Sequence, residues 1–106
     1  MSAFKYEKDA DGIVTVTMDM TGPVNAMNEE YRQAMAATID RLEQEKDLAG
    51  VIIASAKKVF FAGGDLNELL AAEKGNEARF MDMLRVTKHN LRRLEKLPVP
   101  VVAAIN

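Results

Sequence analysis

Apolar and polar positions alternate through the first twenty residues. Phe4 and Tyr6 are interleaved with Lys5 and Glu7, and Val14, Val16, Met18 and Met20 with Thr15, Thr17 and Asp19. A repeat of two sends successive side chains to opposite faces, so both runs are predicted as half-buried strands. Between them Asp9-Ala10-Asp11-Gly12 ends in an Asp-Gly pair that supplies the positive φ of a tight reversal, which makes the two strands a hairpin. Thr21-Gly22-Pro23 then closes the second strand.

From Asn28 the period lengthens. Tyr31, Met35, Ile39 and Leu42 recur at helical spacing with polar residues opposite, and Asn28, Glu29 and Glu30 suit a helix N-terminus. Val51-Ile52-Ile53-Ala54 follows, apolar at every position, as in a parallel strand covered on both faces. Strand, helix and strand in this order predict a βαβ unit with a right-handed crossover. A second helical stretch starts near Asp65 and stops around Gly75. A third runs from Asn76 toward Lys96, with Phe80, Met83, Leu84, Thr87, Leu91 and Leu94 on one stripe. Val99 to Ile105 reads as a last buried strand, with Pro98 and Pro100 at its beginning, where a missing ladder donor is tolerated. Three helices for four short strands leave that strand short of cover, so residues 1–106 are expected to be an incomplete α/β domain.

Composition narrows the function. With 106 residues, 14 Lys and Arg against 16 Asp and Glu, and 48% hydrophobic residues, this is an ordinary globular chain of net charge −2. No basic face is available for nucleic acid. The absence of cysteine excludes thiolate chemistry and disulfides, and one histidine excludes a histidine-rich metal site, so no metal is expected. Met1 to Gly12 lacks the apolar core of a secretory signal, and the apolar stretch Leu97 to Ile105 falls short of the ~20 residues of a membrane span. The chain is therefore expected to be cytoplasmic.

The chemistry concentrates in Lys57 to Leu69. This segment leaves a buried strand and opens a helix, where open α/β sheets bind ligands. Asp65 and Glu68 have capping-box spacing, and Gly63-Gly64 lets the backbone approach a ligand with its amides turned outward. The same glycines also fit a bare strand-to-helix connection that needs positive φ, and neither a P-loop nor a dinucleotide fingerprint is present. His89 falls off the apolar stripe of its helix and reads as solvated. Glu68, Glu73 and Glu77 read as surface carboxylates beside Lys and Arg. The methionines read as packing, and Asp9, Asp11 and Gly12 as a turn rather than a calcium loop.

Three segments together resemble one family. Phe60-Phe61-Ala62-Gly63-Gly64-Asp65-Leu66 resembles the Phe-x-Ala-Gly-x-Asp-Leu signature of the crotonase (enoyl-CoA hydratase/isomerase) superfamily. Val24-Asn25-Ala26-Met27-Asn28 resembles its upstream Asn-Ala-Leu/Met-Asn motif, and Pro98 to Asn106 resembles its Pro-x-Val-Ala-Ala-Ile-Asn strand. Tyr6 to Gly12 and Ala54 to Lys58 are most similar to the hydratase part of bacterial multifunctional β-oxidation proteins, in which a 3-hydroxyacyl-CoA dehydrogenase follows.

The resemblance implies the N-terminal part of a crotonase-like ββα spiral, short strands joined by βαβ crossover helices. It implies hydration of trans-2-enoyl-CoA, with isomerase or thioester hydrolase as alternatives within the superfamily and a non-catalytic acyl-CoA-binding or association fragment as another. Gly64 would give its backbone N–H to the thioester oxygen, and Ala62 its carbonyl to the adenine amino group. Val24, Ala26, Asp65 and Leu66 would complete the CoA and acyl surface. Gly64 departs from the family, which often has Ala or a larger residue there, and so does the bulky Phe61. Hydration needs no cofactor, since coenzyme A is part of the substrate, and NAD enters only if a dehydrogenase region follows. A homo-oligomer or multienzyme complex is implied for the complete protein. In the family the second oxyanion donor and the catalytic carboxylates lie beyond the position of Asn106, so the 106 residues alone are expected to be inert.

Overall fold

The computed structural model describes residues 3–71 and 75–106. Two strands, β1 (Phe4–Lys8) and β2 (Ile13–Met18), form the expected hairpin, antiparallel with Tyr6 opposite Val16. The Asp9 side chain builds its turn by accepting from the backbone amides of Asp11 and Ile13 at 2.9 and 3.0 Å. Gly12 sits at φ +84, and a Cβ there would lie 2.4 Å from the Asp47 carbonyl oxygen. Only glycine fits, because this turn also packs against the approach to β3.

Helix α1 (Glu29–Glu43) carries the chain to β3 (Gly50–Ser55), which lies parallel to β2 with Val14 beside Val51 and Val16 beside Ile53. Asn28 caps α1 by accepting from the Tyr31 amide at 3.0 Å. Helices α2 (Leu66–Ala71) and α3 (Glu77–Glu95) then lead to β4 (Val101–Ala103), parallel to β3 at the sheet edge. The sheet order is β1-β2-β3-β4.

The core lies between one sheet face and α1, where Val14, Val16, Val51 and Ile53 meet Ile39 and Leu42. At the hairpin end the Tyr6 hydroxyl donates to Glu45 at 2.5 Å, and the Arg41 guanidinium stands 3.8 Å above the Tyr6 ring. Burial, then the carboxylate, pushes the Tyr6 hydroxyl pKa well above its ordinary value. At the same end of α1, Arg93 of α3 donates to Asp40 and Glu43 at 2.6 and 2.5 Å.

Four expectations need correction. Strand β3 is fully covered on one face only: Val51 and Ile53 are buried, Ile52 and Ala54 half-buried. β4 is three residues long rather than spanning Val99 to Ile105, and Val102 stays 57% exposed. On α3 the side toward α1 is Phe80, Met83, Thr87, Asn90 and Leu94, and only Thr87 and Asn90 are buried. Leu84 and Leu91 stand about 100° around the helix from Met83 and Asn90 and remain exposed, because the apolar stripe is wider than the face α1 covers. Met81 is likewise exposed, whereas Met18, Met20 and Met35 pack in the core. The end of the second helical stretch, and Glu73 with it, lies outside the described residues.

Candidate functional site

Parallel strands β2 and β3 release the chain at the same end of the sheet, and the two segments that follow run side by side. The Ala62 amide donates to the Asn25 carbonyl at 2.8 Å, the Met27 amide to the Gly63 carbonyl at 2.8 Å, and the Asp65 amide to the Met27 carbonyl at 3.3 Å. Met27 and Gly64 thus form a parallel bridge outside the main sheet. A crevice at the C-terminal ends of parallel strands is where an α/β sheet offers backbone groups to a ligand.

Asn25 is the anchor. Its side chain is fully buried; Oδ1 accepts from the Met20 amide at 3.1 Å, and Nδ2 donates to the Met18 carbonyl, Ser55 Oγ and the Phe60 carbonyl at 3.2, 2.9 and 3.3 Å. Ser55 Oγ extends the network by donating to the Val59 carbonyl and accepting from the Lys57 amide, both at 2.9 Å. One amide side chain therefore joins the ends of β2 and β3 to both loops. Phe61 adds an apolar anchor, its ring edge-on to Tyr31 of α1 at 5.2 Å between centroids. The resemblance marked Asn25 only as a motif letter; its work as a strut depends on partners up to 35 residues away.

The bridge brings Ala26, Ala62, Gly64 and Asp65 together on one lip. Val24, 36% exposed, precedes the Asn25 anchor, and Leu66, 74% exposed, opens α2. The two glycines differ. Gly63 has φ +86 and needs to be glycine, whereas Gly64 lies outside the left-handed region and a Cβ there would meet only Leu69 Cδ1 at 3.8 Å. Bare connection therefore accounts for Gly63 and leaves Gly64 free for another role. Among the described residues the exposed Gly64 N–H has no protein acceptor and the Ala62 carbonyl no protein donor. Beside Gly64 a crevice of about 80 Å³ opens between α2 and α3, lined in part by Met27, Leu69, Phe80 and Met83.

Half of the expected capping box is present. Asp65 Oδ1 accepts from the Glu68 amide at 2.9 Å, but the Glu68 carboxylate does not return to Asp65. It accepts instead from the Glu29 amide at the start of α1, at 3.1 Å, and from Arg32 Nη2 through both oxygens, at 3.0 and 2.9 Å. Capping geometry was legible in the spacing; this cross-helix use was not. Glu77 accepts from the Gly75 amide at 2.8 Å, and that bond holds its carboxyl below the usual range. His89 is exposed. Below the lip, Lys57 Nζ reaches Asp19 at 3.0 Å, and this contact, ahead of Lys5, holds the Asp19 carboxyl below its ordinary value.

Compared with known proteins, residues 8–106 match the family described as enoyl-CoA hydratase/isomerase. The chain belongs to that family. Its structure is similar to an enoyl-CoA hydratase from Mycobacterium smegmatis, with TM-score 0.88 and 24% identity over 99% of this chain and 40% of that one. It is also similar to an enoyl-CoA hydratase from Bacillus anthracis, with TM-score 0.84 and 21% identity over 98% of this chain and 40% of that one. These two likenesses show the fold. A Mycobacterium tuberculosis structure titled as an enoyl-CoA isomerase is 32% identical, with TM-score 0.79 over 98% of this chain and 42% of that one. The chain thus spans about 40% of the length of these relatives. The mixed α/β sheet and helices match the N-terminal part of the crotonase fold. Among the described residues no helix is long and apolar enough to cross a membrane.

Proposed function

We propose that this chain is the acyl-CoA-binding N-terminal part of a cytoplasmic enoyl-CoA hydratase of fatty-acid β-oxidation, in a protein that also carries 3-hydroxyacyl-CoA dehydrogenase. NAD would serve only that second activity. The observation that carries the site reading is the exposed Gly64 N–H, held between two clamped peptides with no protein acceptor among the described residues. Family membership supports a CoA thioester as the ligand. When water adds to the β-carbon of a trans-2-enoyl thioester, the C=C π electrons move toward the carbonyl and charge gathers on its oxygen. A proton then returns to the α-carbon, and the thioester carbonyl re-forms. Gly64 N–H donates to that oxygen as the charge grows. A fixed backbone donor of this kind needs little reorganisation and contributes roughly 3 kcal/mol to lowering the barrier. The Ala62 carbonyl accepts from the adenine amino group, and Val24, Ala26, Asp65 and Leu66 form the rest of the CoA and acyl surface.

The second oxyanion donor and the acid–base carboxylates belong, in this reading, to the part of the relatives' length that the chain does not span, so the 106 residues bind without turning over. The 32% identical structure titled as an isomerase favours a second reading, double-bond migration through the same enolate-like state. Calorimetry tests the site: acetoacetyl-CoA is expected to bind more tightly than CoA, and equal affinities contradict the role of Gly64. Hydration of crotonyl-CoA by the purified chain, free of host hydratase, contradicts the division of labour.

A further inference from the structure

Helix α2 follows the Gly64 lip directly, yet it buries no residue. Leu66, Leu69 and Leu70 are 74%, 50% and 81% exposed, so apolar packing does little to hold the helix down. Its polar side-chain link to α1 is made by Glu68. Through its backbone the same residue is tied to the lip, since its amide donates to Asp65 Oδ1 at 2.9 Å and the Asp65 amide donates to the Met27 carbonyl. Glu68 therefore joins α1 to the peptide next to Gly64.

The other half of the link is a buried charge. The Arg32 side chain is 6% exposed, and its guanidinium is shared between Glu68 and Glu29. Nη2 donates to both Glu68 oxygens and Nε to Glu29, so charge-assisted bonds at two of its nitrogens hold the planar group in place and in orientation. We infer that the Arg32–Glu68 pair positions the oxyanion donor: it sets where the Gly64 N–H points by holding α2 against α1. Glu68 touches no substrate and is a positioning residue. The inference rests on the reading of Gly64 as the thioester donor.

The test uses the 106-residue chain, ¹⁵N-labelled, as wild type, Glu68→Gln and the double variant Arg32→Met with Glu68→Leu. The double variant replaces the pair with apolar volume, an exchange that often preserves stability. Without ligand, the Asp65 and Glu68 amides of the double variant are expected to exchange with deuterium at least ten-fold faster, while those of Val16 and Ile53 keep their wild-type rates. Glu68→Gln is expected to fall between, and it decides the matter if the double variant does not fold. With ligand, the preference for acetoacetyl-CoA over CoA is expected to drop at least five-fold, with CoA affinity unchanged. Wild-type exchange at Asp65 and Glu68 with an unchanged preference overturns the inference, and so does faster exchange spread through the sheet, which marks a structural role alone. If the wild-type chain shows no preference for the thioester, the oxyanion reading fails instead, while exchange at Asp65 still reports the tether.

Discussion

The two sides of the Met27–Gly64 bridge are held by opposite physical means. On the Asn25 side a fully buried amide makes four hydrogen bonds, and Phe61 packs on Tyr31, so the loops leaving β2 and β3 are fixed as part of the core. On the α2 side no side chain is buried, and the link to the body runs through the Glu68 carboxylate. Removing a buried strut exposes the full cost of its unpaired partners, whereas the buried Arg32 keeps Glu29 as a partner when the part-exposed Glu68 lets go, so this tether can shift without unfolding the sheet. The upstream side gives the site its existence and the downstream side its aim.

Asn25→Ala breaks the first side and carries the largest expected effect. It leaves the Met20 amide without its acceptor and opens a cavity, so a loss of about 3–5 kcal/mol is expected in chemical denaturation. A loss below about 1 kcal/mol would show that the buried network does not hold the loops. The glycines sharpen the contrast at the bridge itself. Gly63→Ala forces a side chain to φ +86 and is expected to cost about 1–2 kcal/mol. Gly64→Ala, whose Cβ would make only an ordinary contact with Leu69, is expected to be neutral or to stabilise by about 0.5 kcal/mol. Equal effects in thermal unfolding would erase the distinction between connection and donor.

The smallest effect concerns pH. Lys57 first, then Lys5, depress the folded-state pKa of the Asp19 carboxyl. The stabilisation is thus present above the unfolded-state pKa of about 4 and is lost as pH falls through the lower folded value. Carboxyl NMR should find Asp19 titrating below ordinary aspartates and moving back up in Lys57→Met; an unmoved titration would remove Lys57 as the cause.

Much of this arrangement was legible because it is local. Alternation marked β1 and β2, Asp-Gly marked their turn, and helical spacing after Asn28 marked α1 with its cap. The Asp65–Glu68 spacing gave the first turn of α2. What escaped depends on partners distant in sequence. Nothing near Asn25 says that its amide will meet Ser55 and Phe60, and nothing near Glu68 says that its carboxylate will leave its own cap for Arg32, 36 residues earlier. For the same reason the exposure of Leu84 and Leu91 could not be read from periodicity, which reports an apolar stripe but not the width of the neighbour that covers it.

The proposed role of the Gly64 N–H, a donor to a thioester oxygen, is open to direct observation. Adding acetoacetyl-CoA to the ¹⁵N-labelled chain, with CoA alone as the control, measures this at the atom concerned. The Gly64 amide proton is expected to move downfield with the thioester and to stay in place with CoA alone. An unmoved Gly64 signal at saturating thioester, with neighbouring loop amides shifted, would contradict it.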